Sequence, residues 1–185
     1  MKMIITAAVV GLALSGAQAF AHSNRSTSSM HRTDQAFVTD AARANLAEVE
    51  LGKVAEARSS NREVKDFAKL MVADHQNALN QLNKVAKDCG ITVPTALDPK
   101  DHALKSRLAN LSGAAFDRMY MKAILTDHRS DVAEFRVEAR TATNTEVKRY
   151  ASDTLPTLKD HLKLAKEIDH SIVARSSRRG ATTVS

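Results

Sequence analysis

The sequence predicts an all-α protein folded as a four-helix bundle. Four long segments carry apolar residues at alternating steps of four and three, which places those residues on one face of an α-helix. No segment shows the apolar–polar alternation of a strand, and the 185 residues include only three prolines. A short connection joins the helices of each pair, and a long link separates the pairs, so we expect two helical hairpins packed together.

The first long helix is predicted from about Asp34 to Arg58. The second begins at Ser60, because Ser60 and Glu63 have the spacing of a capping box, and it ends at Gly90, a residue that commonly terminates helices. Their apolar faces comprise Phe37, Ala41, Ala44, Leu51 and Ala55 in the first helix, and Val64, Ala68, Met71, Ala78, Leu82 and Val85 in the second.

The link between the pairs extends from Gly90 to Gly113. Within it, Asp98 and Pro99 are a cap followed by a first-turn proline, so we expect a short helix that carries Leu104, Leu108 and Leu111. A link of this length can cross from one end of a bundle to the other.

The third long helix is predicted over about 114–141 and the fourth from about Thr143 to Ile172, with Thr143 and Glu146 as a second capping box. Pro156 lies inside the fourth helix, where a proline removes a backbone hydrogen bond and favours a kink. The apolar faces contain Phe116, Tyr120, Ile124 and Phe135 in the third helix, and Val147, Ala151, Leu158, Ala165 and Ile168 in the fourth.

The two ends of the chain are predicted to lie outside the bundle domain, residues 34–173. Residues 1–21 have an early lysine, a short apolar run and small residues at two possible cleavage sites, as secretory signal peptides do. Residues 22–33 are polar, which predicts a flexible lead-in. The segment 174–185 has a net positive charge, which predicts a basic disordered tail that could weakly contact anionic surfaces. We therefore expect an exported protein, with the periplasm as its location and no transmembrane segment.

The composition argues against several functions. Twenty-seven basic residues against 21 acidic ones give a net charge of +6, but the basic residues are interspersed with acids and the chain has no tryptophan and only two tyrosines. A nucleic-acid-binding surface would instead cluster basic and aromatic residues. Cys89 is the only cysteine, so no intramolecular disulfide can form. No substrate-specific motif points to an enzyme, and the sequence identifies no partner.

Four ionisable residues interrupt the apolar faces, one on each long helix: Glu48, His75, His128 and His161. Burying such groups costs several kcal/mol unless they are paired or ligated. Glu48 and His75 lie at similar distances from the first turn, and His128 and His161 at similar distances from the second. With a rise of about 1.5 Å per residue, all four are expected at one level of the bundle.

Glutamate and histidine side chains that point inward from facing helices form the metal sites of helix bundles. These four residues therefore predict a single transition metal ion, and zinc, iron, copper and manganese all remain open. Met71, one turn before His75, would favour reduced copper if its thioether joined, although a core role is the simpler interpretation. The alternative is a non-catalytic structural or interaction module in which the histidines and nearby acids form a buried polar network.

Five further acids are candidate outer or additional ligands, namely Glu50, Asp74, Asp127, Asp131 and Asp160. Three of them, Asp74, Asp127 and Asp160, directly precede one of the three histidines on the apolar faces. Successive helical side chains diverge by about 100°, so each of these aspartates faces a neighbouring helix and could accept the ring N–H of a histidine there. Glu50 competes with Glu48 on the first helix, and Asp131 could supply an oxygen ligand beside His128.

Several separated segments occur in the order found in a known family. They are Leu51-Gly52-Lys53, Val64-Lys65-Asp66-Phe67-Ala68, Met71-Val72-Ala73-Asp74-His75, Gly113 with Phe116-Asp117 and Tyr120, His128, and Leu155-Pro156 with His161. Over about residues 35–169 the chain resembles the bacterial exported proteins grouped as domain of unknown function 4142, which are placed among the ferritin-like folds. The resemblance implies a ferritin-like bundle with a long crossover between the second and third long helices, and it implies no activity.

The chain departs from the di-iron pattern of ferritins. Val72 and Leu158, rather than glutamates, stand three residues before His75 and His161. We therefore expect a mononuclear, histidine-rich site and not a carboxylate-bridged iron pair. The expected function is metal handling or stress tolerance outside the cytoplasm.

Overall fold

The computed structural model describes residues 32–181, so the predicted signal peptide and most of the lead-in lie outside the described part of the chain. The described residues form five α-helices and no strand: α1 (Arg32–Arg58), α2 (Arg62–Asp88), α3 (Pro99–Ala109), α4 (Gly113–Thr141) and α5 (Thr145–Ala181). The all-α prediction is therefore confirmed. No described helix has a stretch apolar and long enough to cross a membrane.

The four long helices form a bundle of two hairpins, α1–α2 and α4–α5, in which α2 packs on α5 and α1 packs on α4. The ends of the bundle are fixed by contacts between the hairpins. At one end the Ser59 hydroxyl donates to Asp117 at 2.6 Å, and at the other Asp34 accepts the backbone N–H of Thr143 at 3.1 Å. The link that contains α3 therefore crosses the length of the bundle, as predicted, which gives the ferritin-like connection between α2 and α4.

Two of the predicted helix caps are wrong by one residue. The side chain of Asn61, not Ser60, accepts the Glu63 N–H and caps α2. Asn144, not Thr143, accepts the N–H groups of the first turn of α5, and the Thr143 hydroxyl donates to Asp34. An asparagine carbonyl serves as an N-cap as well as a hydroxyl does.

The predicted end of α2 and the predicted start of α3 agree with the structure, but α3 ends at Ala109, so Leu111 lies after the helix that was predicted to carry it. Asp98 caps α3 by accepting the Asp101 N–H at 2.8 Å, and Pro99 occupies its first turn. Gly90 follows α2 with a φ of 69°, a left-handed conformation that favours glycine. The Ile91 N–H then bonds to the Ala86 carbonyl, which completes a Schellman motif.

The last helix extends beyond its predicted end. Residues 174–181 belong to α5, whereas the sequence predicted a disordered tail from residue 174. Ile172 is buried, the Ser171 hydroxyl donates to Glu63, and the guanidinium of Arg175 donates to the same carboxylate at 2.6 Å. These contacts with α2 hold α5 against the bundle as far as Arg175. α5 is also unbroken at Pro156.

The core consists of two apolar clusters, one towards each end of the bundle. One contains Phe67, Phe116 and Tyr120, and the other contains Phe37 and Phe135. On each long helix, one ionisable residue lies between the residues of one cluster and those of the other. These residues are Glu48, His75, His128 and His161. A buried polar layer therefore separates two hydrophobic clusters in the middle of the bundle.

Candidate metal centre

Three histidines from three different helices meet in the middle of the bundle. His75 of α2, His128 of α4 and His161 of α5 are 4%, 0% and 2% exposed. Their ring centroids form a triangle with three sides of 5.4 Å. One ring nitrogen from each lies within 4.8 Å of the other two, so the three rings can offer ligand atoms to one point.

Groups from other helices hold the outer nitrogens of two of these rings. The Asp74 carboxylate lies 2.9 Å from Nε2 of His161, and a carboxylate is only an acceptor, so Nε2 carries the proton and Nδ1 keeps its lone pair. The Asn45 side-chain oxygen lies 3.0 Å from Nδ1 of His75. Nδ1 therefore donates, and Nε2 of His75 keeps a lone pair that has no hydrogen-bond partner among the described residues.

Asn45 was not among the residues predicted from the sequence. Its amide nitrogen donates to the Ala41 carbonyl at 2.7 Å and to the Tyr150 hydroxyl at 3.2 Å, which directs its oxygen toward His75. It is buried on α1, three residues before Glu48. Residues three apart share a helix face, so this spacing was the signal that could have identified it.

His128 faces both sides of the layer. Its Nε2 lies 3.3 Å from Nδ1 of His161, and its Nδ1 lies 3.5 Å from Oε1 of Glu48. Because Nδ1 of His161 carries a lone pair, the two facing nitrogens require either a shared proton or a cation between them. Each of the three imidazoles therefore has a side-chain oxygen beside its outer nitrogen, from Glu48, Asn45 or Asp74. The other nitrogen of each ring is turned toward the other two rings.

Burial sets the charge of these groups. It lowers the pKa of His75 well below its ordinary value, and the neighbouring His128 and His161 lower it further. Burial also lowers the pKa of His128 and of His161. The three rings are therefore neutral at neutral pH, and the neutral ring is the form that binds a metal ion.

Two carboxyl groups lie on the other side of the His128 ring. Glu48 is 2% exposed, and neither of its oxygens has a hydrogen-bond partner among the described residues. Ligand atoms of Glu48, His128 and Asp131 all lie within 4.8 Å of one another. Burial raises the pKa of Glu48 well above its ordinary range, helped by Asp127, and burial raises the pKa of Asp131 to about 7.

The other predicted acids do not reach the histidine triangle. Glu50 is at the surface, where it pairs with Lys105 of α3 at 2.5 Å and with Lys53. Asp160 is exposed, although the next residue is buried. Asp127 lines a surface cleft with Asp131. Of the aspartates that precede a seam histidine, only Asp74 hydrogen-bonds to one of the three rings in the described part of the chain.

Two sulfur-containing side chains, Met71 and Cys89, lie away from the histidine triangle. Met71 is fully buried in the apolar cluster that contains Phe67. Cys89 follows the last turn of α2, where its sulfur lies 3.5 Å from the side-chain nitrogen of Asn144. Burial raises the pKa of the Cys89 thiol, so it is not an activated thiolate.

Comparison with known proteins identifies a family for the chain and solved structures with the same fold. A family profile described as Domain of unknown function (DUF4142) matches residues 19–168. No curated protein matches the chain in sequence.

Solved structures share the fold at low sequence identity. A DUF305 fragment from Deinococcus radiodurans has a TM-score of 0.68 at 15% identity, with 77% of this chain and 98% of that chain covered. CopM in its Ag-bound form has a TM-score of 0.61 at 16% identity, covering 75% and 96%. A DUF305 protein of Streptomyces coelicolor, described as secreted, has a TM-score of 0.65 at 17% identity, covering 76% and 93%.

Proposed function

The chain belongs to the DUF4142 family, whose description assigns no activity, and we propose that its function is to bind a single transition metal ion through His75, His128 and His161. The proposal makes the protein an exported metal-handling bundle. Glu48, Asn45 and the carboxylate that contacts His161 would orient the ligand rings from outside.

The observation that carries the proposal is the distance of 3.3 Å between Nε2 of His128 and Nδ1 of His161. A tetrahedral zinc ion with bonds of about 2.0–2.1 Å places its nitrogen ligands about 3.3–3.4 Å apart, so these two nitrogens already have the spacing of a ligand pair. Nε2 of His75 supplies the third lone pair from a buried atom that has no other partner among the described residues.

The ligand set narrows the choice of metal. Imidazole nitrogens suit zinc, copper and iron, whereas manganese prefers oxygen ligands, so manganese is the least favoured of the four ions that the sequence left open. CopM shares the fold and has been solved with Cu(I) and with Cu(II) bound. This likeness makes copper the first metal to test.

Two observations support export. Residues 1–21 have the sequence features of a signal peptide, and one protein of the same fold is described as secreted. By metal handling in the periplasm we mean that the protein holds or passes on an ion and does not use it in catalysis. A buried site of three neutral imidazoles fits this role.

A second candidate function is a structural or interaction module. It is favoured by the direct contact of His161 with both Asp74 and His128, which forms a hydrogen-bond chain without any ion. In that case the polar layer would fix the register of the two hairpins, and the histidines would bind no metal.

Metal content separates the two candidates. The exported protein is purified from cells supplied with copper, zinc and iron, and its bound metal is measured by mass spectrometry. We expect one equivalent of metal, which His128→Ala or the more conservative His128→Gln loses while the circular dichroism spectrum stays helical. His102→Ala and His170→Ala, which change exposed histidines, serve as matched controls and keep the metal.

Absence of metal in the wild-type protein, or retention of metal by His128→Ala, would overturn the metal proposal. Destabilisation of metal-free His128→Ala by itself would favour the structural module, because that role needs the ring but no ion.

A further inference from the structure

A strongly acidic cleft opens on the face formed by α1, the N-terminal end of α3 and α4. It has a volume of about 310 Å³, and six carboxylates line it: Asp40, Glu48, Asp98, Asp101, Asp127 and Asp131. Two basic side chains, Arg43 and Lys100, also line it, and Arg43 pairs with Asp40 at 2.5 Å. Burial raises the pKa of Glu48 and Asp131, so the charge of the cleft comes from the other four acids. Four acids against two bases still leave an excess of negative charge, which attracts cations.

The cleft leads to the buried polar layer through Glu48. This residue lines the cleft although it is 2% exposed, and both of its oxygens lack a hydrogen-bond partner among the described residues. A buried carboxylate without donors is costly, and a bound cation would satisfy it. Asp131 brings a second carboxylate to the same point, since its oxygen, an oxygen of Glu48 and a nitrogen of His128 lie within 4.8 Å of one another.

We propose that this acidic cleft is the entry route of the metal ion, and that Glu48 and Asp131 hold the cation there before it reaches the three histidines. The inference rests on the proposed metal-binding function. His128 connects the two places, because its Nδ1 faces Glu48 and its Nε2 faces His161. Carboxylates hold a borderline or soft transition metal less well than imidazoles do, so transfer inward is favourable.

The opposite face of the bundle offers a poorer route. A groove between α2 and α5 has a volume of about 90 Å³ and is lined by Asp74 and Asp153. The Asp74 carboxylate is already engaged with Nε2 of His161. This groove is smaller than the acidic cleft. Its Asp74 carboxylate already has a hydrogen-bond partner, whereas Glu48 has none among the described residues.

The rate of metal uptake tests the route. Metal-free protein is mixed with Co(II) in a stopped-flow spectrometer, and the visible absorption of four-coordinate Co(II) is followed at low salt. Asp101→Asn combined with Asp127→Asn removes two charges from the cleft, and among the described residues neither side chain hydrogen-bonds to the three histidines. We expect this variant to take up Co(II) about 10-fold more slowly, with the same final absorbance, because steering by charge raises the rate of encounter. Added salt should slow the wild-type protein more than the variant.

Asp88→Asn combined with Asp153→Asn is the matched control, since it removes two exposed charges from the α2–α5 face. Uptake at the wild-type rate by this control supports the cleft, and slower uptake would assign entry to the α2–α5 face instead. Uptake by the Asp101/Asp127 variant at the wild-type rate would overturn the entry route while leaving the proposed function intact. If the wild-type protein takes up no Co(II), or if His128→Ala takes up as much, the metal-binding proposal itself fails, and the entry route fails with it.

Discussion

Each of the three imidazoles has a polar group from another helix beside its outer nitrogen, and two of these contacts are hydrogen bonds. Asp74 and Asn45 hydrogen-bond to His161 and His75, and Glu48 lies beside the outer nitrogen of His128. Groups in this position fix the tautomer and the direction of a ligand ring. The outer partners are therefore as important to the proposed site as the rings.

Asp74→Asn is predicted to weaken metal binding about 10- to 100-fold without abolishing it. The amide is nearly the same size as the carboxylate, but it is neutral and a weaker acceptor for Nε2 of His161. Isothermal titration with Cu(II) or Zn(II) measures the change. Asp160→Asn, which alters the exposed sequence neighbour of His161, is the control and should bind as the wild-type protein does. Equal affinities for the two variants would show that the contact with Asp74 does not support the site.

Asp131→Asn is predicted to flatten the dependence of stability on pH in the metal-free protein. Burial raises the pKa of this carboxyl to about 7 in the folded state, against about 3.9 in an unfolded chain. The folded protein therefore retains a proton that the unfolded chain has released, and this group makes stability fall as pH rises from about 4 to about 7.

We expect Asp131→Asn to gain stability relative to the wild-type protein between pH 4 and pH 8, on the order of 2 kcal/mol. Urea unfolding with a chelator present measures this difference at each pH. Asp160→Asn should show no such trend, and a stability difference for Asp131→Asn that does not depend on pH would show that the pKa of this residue is not raised.

The histidines and Glu48 could be predicted from the sequence, because a polar residue in a helical apolar stripe is visible by its spacing alone. The contacts outside the rings were harder to predict. The spacing indicated that Asp74 faces a neighbouring helix, but the same argument applied equally to Asp127 and Asp160. Only the packing of α2 on α5 distinguishes Asp74 from them, and helix packing depends on the whole core.

At the scale of the helices, the close contact of α1 and α2 depends on one glycine. A Cβ atom at Gly52 would lie 2.7 Å from Cγ2 of Val72 and 3.3 Å from the Ala68 carbonyl oxygen. Gly52 is one turn beyond Glu48, so this contact sets the distance between the helices that carry Glu48 and His75. The positions of the helices were predictable from periodicity, but this close approach was not.

Gly52→Ala is predicted to destabilise the protein by about 1–2 kcal/mol, because overpacking against a stiff valine and a backbone oxygen outweighs the better helix propensity of alanine. Urea unfolding measures the loss. In a Val72→Ala background, Gly52→Ala should lower the free energy of unfolding by less, because Cγ2 of Val72, the atom nearest to the new Cβ, is absent. An equal cost in both backgrounds would show that the contact with Val72 does not limit the helix spacing.

The helix ends show where local sequence signals are insufficient. Ser60 and Thr143 have the spacing of caps, yet the neighbouring Asn61 and Asn144 cap the helices. Thr143 instead donates its hydroxyl and its backbone N–H to Asp34, more than a hundred residues earlier in the chain. A contact between chain segments this far apart cannot be read from a window of four residues.

At the scale of the whole molecule, a polar layer divides the core into two apolar clusters and joins all four long helices. A metal ion bound to that layer would cross-link α2, α4 and α5. Because the unfolded chain cannot hold three distant histidines together, binding adds to the stability of the folded state.

Metal at 100 times its dissociation constant should therefore stabilise the protein by about 2.7 kcal/mol, which corresponds to an increase in Tm of about 5–10 °C for a chain of this size. Differential scanning calorimetry of the metal-free and metal-loaded protein measures the shift. Replacement of all three histidines by glutamine should remove it, and a shift that survives this replacement would place the bound metal elsewhere.

The most direct measurement is a two-bond ¹H–¹⁵N NMR spectrum of the histidine rings, recorded before and after addition of one equivalent of Zn(II). If the three rings share one ion, the signals of Nε2 of His75, Nε2 of His128 and Nδ1 of His161 shift together at one equivalent, while those of His102 and His170 do not change. Rings of His75, His128 and His161 that keep their metal-free signals, or that shift one at a time with excess metal, would contradict a shared metal site in the bundle.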